Sequence, residues 1–118
     1  MSSFFTELRL NVTPHSVEKQ HEMLLRYVAP QYYGTLKTQL VSEAEKIKKS
    51  DMSTVFYPVD IQVSQDDLAV TIIGDLKSFI GNESLPSRRT AYLITYNFHQ
   101  GRLYVTNFKE VKHVKNFL

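Results

Sequence analysis

The chain has 118 residues, 42% hydrophobic and 22% charged, no cysteine, and a formal charge of +2. That length makes one ordinary domain able to bury a core without staples, and the composition excludes a disordered chain. The missing cysteines exclude disulfides, thiolate metal sites and a cysteine nucleophile, while the small net charge argues against a nucleic-acid or strongly anionic membrane partner.

Residues 1–12 carry no clear period and read as a lead-in. Thr13-Pro14 is a helix start, with Thr13 as N-cap and Pro14 at the first helical position; Ser16, three residues on, leaves the capping box incomplete. From Pro14 to about Val28, the residues Val17, His21, Leu24, Leu25 and Val28 share one helical face. Ala29-Pro30 stops this helix, because a residue before proline is pushed out of the helical region. A second helix is expected from about Tyr32 to Lys49. Its buried stripe is Tyr33, Leu36, Leu40, Ala44 and Ile47, with Val41 at the margin. Glu43/Lys46 and Glu45/Lys49 read as pairs on a solvated face.

After residue 52 the period changes from 3.6 to 2. Val55, Tyr57, Val59, Ile61 and Val63 form one alternating set; Leu68, Val70 and Ile72 a second; Tyr92, Ile94, Tyr96 and Phe98 a third; Tyr104, Thr106 and Phe108 a fourth. Turn residues separate them at Ser64-Gln65-Asp66-Asp67, Gly81-Asn82-Glu83-Ser84 and His99-Gln100-Gly101. Short connections make an antiparallel meander the default. Pro58 points to an edge position or a bulge, and Gly74 to a bend or bulge. The expected architecture is α+β: N-terminal helices packed on a curved four-stranded antiparallel sheet, a roll.

The apolar runs fall far short of the roughly 20 residues of a membrane helix, and Met1 to Phe5 lacks the basic region and long apolar stretch of a signal peptide. Catalysis in a pocket between sheet and helices would need an acid or base on an inward strand position. The more apolar parities of the first three strands, from Val55 to Phe98, hold none; Asp60 and Asp75 fall on the opposite parity. Tyr57 and Tyr96 read as core aromatics. His15 and His21 are six apart, which does not set two ligands on one helix face, and no acidic cluster joins them or His99 and His113, so no metal is expected. Arg88 and Arg89 are adjacent on a strand and point to opposite faces, so they cannot share one nucleic-acid platform. The tail with Lys109, Lys112, His113 and Lys115 reads as solvated surface. Gln20, Met23 and Tyr27 lie on a flank of the first helix away from its core stripe, a pattern that suits a protein interface.

The stretch RYVAPQYYGTLKTQLVSEAEKIKKSDMSTVFYPVDIQV, with its Tyr-Val-Ala-Pro corner and Ser-Thr-Val-Phe-Tyr-Pro strand, resembles the TraE family of conjugative transfer proteins. GDLKSFIGNESLPSRRTAYLITYNFHQGRLYVTNFKEV looks like that family's sheet region, so the resemblance covers roughly residues 13 to 111. It implies a nuclear-transport-factor-2-like roll. It also implies a bitopic inner-membrane protein of a type IV secretion system, in which residues 1–12 are a linker from a membrane helix absent from this chain and 13–118 a single periplasmic domain. On that resemblance the domain is a non-enzymatic assembly component of the channel and pilus, without cofactor. Its partners are itself, as a dimer or higher oligomer, and other secretion subunits, but not nucleic acid. The alternative is a small-molecule-binding or isomerase-like enzyme on the same fold.

Overall fold

In a computed structural model of the chain, residues 2–64, 66 and 68–111 are described; Met1, Gln65, Asp67 and the tail 112–118, which holds Lys112, His113 and Lys115, lie outside them. Three helices, α1 (Ser2–Leu10), α2 (Val17–Leu25) and α3 (Pro30–Lys49), precede the strands β1 (Met52–Ser64), β2 (Ala69–Ile80), β3 (Glu83–Ser84), β4 (Arg88–His99) and β5 (Arg102–Val111). The antiparallel sheet runs in the order β1-β2-β4-β5, and the two-residue β3 folds back on the end of β2. The α+β meander expected from the sequence is therefore present, as an open sheet with helices on one face. No helix among the described residues is long and apolar enough to cross a membrane.

The segment read as a lead-in is the helix α1. Phe5 is fully buried and Leu8 and Leu10 nearly so, in one cluster with Leu24, Val28, Leu36 and Leu40 of the other helices and Ile72, Tyr92, Ile94, Val105 and Phe108 of the sheet. Phe5, Leu8 and Val12 follow helical spacing, and α1 is held by this burial more than by its nine residues of intrinsic helicity. Before α2, Ser16 N donates to Thr13 Oγ1 (3.2 Å) and Thr13 N to Ser16 Oγ (3.0 Å). These bonds close the turn ahead of α2 in the reciprocal pattern of a capping box, while Ser16, the N-cap of α2 itself, makes no side-chain cap hydrogen bond. The turn occupies residues 13–16, so α2 starts at Val17 rather than Pro14. In α3 the proline takes the first helical position, and Leu36, Leu40, Ala44 and Ile47 are buried as expected, whereas Tyr33 is exposed.

The inward parity of β1 is reversed over its first half. Thr54 and Phe56 are buried while Val55 is half-buried and Tyr57 exposed. The cause is a bulge between Pro58 and Asp60: Tyr57 pairs with Asp75, Pro58 with Gly74, then Asp60 with Ile73 and Ile61 with Ile72. Val59 is the extra residue, and past it the inward set becomes Ile61 and Val63. A similar irregularity beside Thr95 and Tyr96 leaves Thr106 unpaired and turns both Val105 and Phe108 inward. Gly74 pairs with Pro58 beside the bulge and has no room for a side chain. A Cβ there would overlap the Tyr57 carbonyl oxygen and lie 2.7 Å from Phe56 Cζ.

Each margin of the sheet is covered over part of its length. On β1, Thr54 exchanges two backbone hydrogen bonds with Val12, Phe56 N donates to Asn11 Oδ1 (2.7 Å), Pro58 has no N–H, and Ile61 N donates to Asp60 Oδ1 (2.9 Å). On β5, Val105 N donates to Tyr27 O (2.7 Å) and Ala29 N to Val105 O (2.8 Å). Proline, a bulge and local caps are the usual means of denying a sheet edge to a foreign strand.

Candidate functional site

The inward face of the sheet has three zones. Helices cover its middle, where the core lies. At one end, near the start of β1 and the end of β5, it opens into a cleft of about 590 Å³ lined by residues that include Arg9, His21, Glu43, Lys46, Thr54, Leu76, Arg88, Tyr92 and Glu110. At the other end, past the bulge, it is uncovered.

The cleft is organised around Arg9, a buried cation on α1. Its Nη1 donates to the Phe108 carbonyl (2.6 Å), its Nε and Nη2 donate to the two carboxylate oxygens of Glu43 (3.3 and 2.7 Å), and its guanidinium lies 4.7 Å from the centre of the Phe108 ring. A guanidinium leaves water at tolerable cost only with such a fork of acceptors and an aromatic face. Glu43, expected to pair with Lys46 on a solvated helix face, turns inward to Arg9 instead. Opposite, Glu110 accepts from Arg88 Nη1 (2.6 Å) and from the Thr90 hydroxyl (2.7 Å). That hydrogen bond raises the Arg88 pKa further, keeping it a fixed cation. Burial pushes the Tyr92 phenol up to about 12, so it stays protonated.

The inward positions therefore do carry acids and bases, contrary to the reading of the apolar parities. Arg88 extends the Tyr92/Ile94 parity at the start of β4, and Glu110 comes from the end of β5. Arg88 and Arg89 do point to opposite faces, Arg89 pairing with Asp75 (2.6 Å) on the outer one. Among the described residues no group of three or more His, Cys, Asp and Glu is placed to hold a metal ion. His21 is buried between α1 and α3; its Nε2 lies 3.3 Å from the Arg9 carbonyl and its Nδ1 has no partner. Desolvation lowers its pKa below the usual 6.5. Of the two strand tyrosines, Tyr57 is exposed, and Tyr96 is half-buried with a hydroxyl that lacks a partner.

The flank Gln20, Met23 and Tyr27 faces α1. Gln20 Nε2 donates to the Asn11 carbonyl (2.8 Å) and the Glu7 carbonyl (3.3 Å), tying α2 to the end of α1. The Tyr27 ring meets those of Phe4 and Phe5, with centroids 5.8 and 5.4 Å away. Met23 and Phe4 remain exposed, at 38% and 37%. Arg9 escaped the sequence reading. The signal for it was the helical spacing of Phe5 and Leu8, which places Arg9 beside an apolar face.

Residues 1–110 match the family described as TraE protein. The chain belongs to the TraE family. Its membership takes in α1 and the whole cleft, beyond the stretch from residue 13 on which the resemblance was read. The chain is 32% identical over 115 residues to Protein TraE of Salmonella typhi, covering 98% of this chain and 62% of that protein. It is 30% identical over 110 residues to Protein TraE of Escherichia coli strain K12, covering 93% and 58%. It thus spans about three fifths of the length of these TraE relatives. Two solved structures share the fold: a TraE protein in complex with 2-(2-furyl)isonicotinic acid (TM-score 0.72, 10% identity, 95% of this chain and 94% of that one) and the VirB8 protein of Agrobacterium tumefaciens (TM-score 0.68, 9% identity, 96% and 90%). The nuclear-transport-factor-2-like roll implied by the TraE resemblance is the fold present.

Proposed function

We propose that this chain is the periplasmic domain of a bitopic inner-membrane component of a conjugative type IV secretion system, acting through protein contacts in channel and pilus assembly rather than by catalysis. The observation that carries the reading is TraE-family membership over residues 1–110. The chemistry of the cleft supports a non-enzymatic role: Glu43 and Glu110 are both neutralised by arginines, so neither is presented as a free general base. The membrane helix lies in the part of the full protein not spanned by this chain, and α1, itself part of the domain's core, is the element through which it connects. The partners are other secretion subunits and a second copy of the chain, with no nucleic acid, cofactor or metal.

The test is a donor strain that lacks the full-length gene. Transfer is expected to fall to background and to return with the wild-type gene, and alkaline phosphatase fused behind the domain in the full-length protein is expected to be active. Normal transfer without the gene would overturn the assembly role, and an inactive phosphatase fusion would overturn the periplasmic placement.

Within this reading Met23 and Tyr27, with Gln20 fixing the helix beneath them, form a self-association surface that Phe4 extends. Sedimentation velocity on wild type, Met23→Arg and Tyr27→Arg checks it; equal association in all three would remove this surface. The small-molecule alternative is favoured by one observation, the cleft itself with Lys46 and Arg88 on its lining. A small carboxylate that raises the melting temperature of wild type but not of Arg88→Gln would support it.

A further inference from the structure

His21 of α2 sits where the three helices meet and is 4% exposed. Its Nε2 faces the Arg9 carbonyl of α1 at 3.3 Å, so the neutral ring carries its proton on that nitrogen and leaves Nδ1 bare and without a partner. The ring lines the cleft and also the groove of about 360 Å³ between α2 and α3, so a small separation of the helices brings it to water. We propose that His21 is a proton-operated latch on α1: on taking up a proton it loosens Ser2–Leu10 from the other helices while α3 and the sheet stay folded.

The charges around the ring select α1 as the element that yields. Protonation adds an N–H at Nδ1, and a buried imidazolium needs an acceptor and a counter-charge. α3 supplies both, in the Leu40 carbonyl and the Glu43 carboxylate, whereas α1 supplies the Arg9 carbonyl but sets a second cation, the Arg9 guanidinium, against the ring. Glu43 then serves two cations. With the ring neutral, both its oxygens are held by Arg9 Nε and Nη2, at 3.3 and 2.7 Å. Attraction it gives to the imidazolium is taken from Arg9, whose Nη1 also fastens the end of α1 to the Phe108 carbonyl of β5. The other charges nearby do not replace it. Glu18 of α2 is paired with Lys48 of α3, and across the cleft Arg88 of β4 is paired with Glu110 of β5. Tyr92 stays protonated, Lys46 stands along the cleft, and Glu22, Lys37 and Glu45 stand along the groove. A helix of nine residues has little stability of its own, so α1 is a unit able to open ahead of the domain.

On the membrane reading above, α1 is the link to the anchor, and the latch sets how firmly the domain follows it. The latch itself is tested on the 118-residue chain alone, so its failure leaves that reading untouched. Residue-by-residue hydrogen exchange of wild type, corrected for the intrinsic rate, is measured at pH 7.5 and 5.5, without and with a little urea, and the His21 ring is titrated by NMR alongside. Amides of residues 6–10 are expected to lose protection about three- to tenfold at the lower pH, the range that one proton taken up on opening allows. Their exchange is expected to stay indifferent to urea, the mark of a local opening, while the slowest amides of α3 and β4 respond to it. His21→Gln, which keeps a donor for the Arg9 carbonyl and cannot charge, is expected to hold its α1 protection constant between the two pH values. An equal loss in His21→Gln would assign the effect to another group and overturn the latch. Residues 6–10 responding to urea in step with α3 would mean that α1 opens only with the whole domain, and would overturn it too. If the variant does not fold, wild type still decides: a ring that titrates at 6.5 or above gains no proton on opening, and the latch fails.

Discussion

Arg9 and Glu43 stand 34 positions apart in the chain, and their side chains meet at 2.7 Å, the same separation as in the Lys48–Glu18 pair. Burial distinguishes the two. Arg9 is 7% exposed, while Lys48 and Glu18 are 49% and 67% exposed. Glu43→Gln leaves a buried guanidinium short of its counter-charge and is expected to cost about 1–3 kcal/mol, because Glu43 itself is partly solvated. Glu18→Gln is expected to stay within about 0.5 kcal/mol. Urea denaturation of the two variants beside wild type makes the comparison, and equal midpoints would remove Arg9 as an organiser of the cleft.

Gly74→Ala is expected to destabilise the domain by about 1–3 kcal/mol, the usual cost of overpacking, because the neighbours of the added methyl include backbone that cannot turn aside. Gly34→Ala, at a helical position with open space around it, is expected to be neutral or mildly stabilising. Thermal melts of the pair test whether the glycine at the bulge is there for close approach.

His21 makes stability depend on pH. Its pKa is lowered in the folded protein, chiefly by desolvation, so between the unfolded value near 6.5 and the lower folded value the unfolded chain binds the proton more readily. Stability from this group is complete above about pH 6.5 and is lost as pH falls below it. The Arg9 carbonyl, the Glu43 carboxylate and the Leu40 carbonyl favour the charged ring and moderate the loss, while the Arg9 guanidinium adds to it. Melting temperatures measured from pH 7.5 to 5 are expected to fall for wild type and to fall less for His21→Gln. Parallel curves would exclude the histidine as the cause.

Asn11→Ala together with Asp60→Ala removes two side-chain acceptors from the free margin of β1. With those N–H groups exposed, concentration-dependent aggregation is expected, seen as rising light scattering on incubation. A solution as clear as wild type would show that Pro58 and the bulge suffice.

The helix pair, the four long strands and the opposite faces of Arg88 and Arg89 were legible, because each rests on local periodicity or on one residue's backbone limits. α2 nonetheless ends at Leu25, ahead of the Ala29-Pro30 corner expected to stop it, and that corner begins α3 instead. The inward side of β1 was not legible. Its apolar alternation continues unbroken through Val59, and only pairing with β2 reveals that Val59 has no partner, so one string of residues serves two faces. α1 was missed because nine residues give a weak period and because its stability comes from Phe5 and Arg9 meeting partners far along the chain. Glu43 was misjudged for the same reason: Lys46 was near in sequence, and Arg9 became near only after folding. At the flank of Gln20, Met23 and Tyr27 the helix hidden in the supposed lead-in packs Tyr27 against the core, while Met23 stays exposed.

The fastening of α1 has a mechanical consequence. Its C-terminal end is held to β1 by the Thr54 hydroxyl on the Leu10 carbonyl and by the Val12–Thr54 pair, and Arg9 holds it to β5 through the Phe108 carbonyl. One short helix is thus strapped to both outer strands of the sheet. A pull applied at Ser2 would be shared between those strands at once, and the sheet would resist as one plate rather than peel from a margin. A domain strapped in this way turns with whatever holds its first helix.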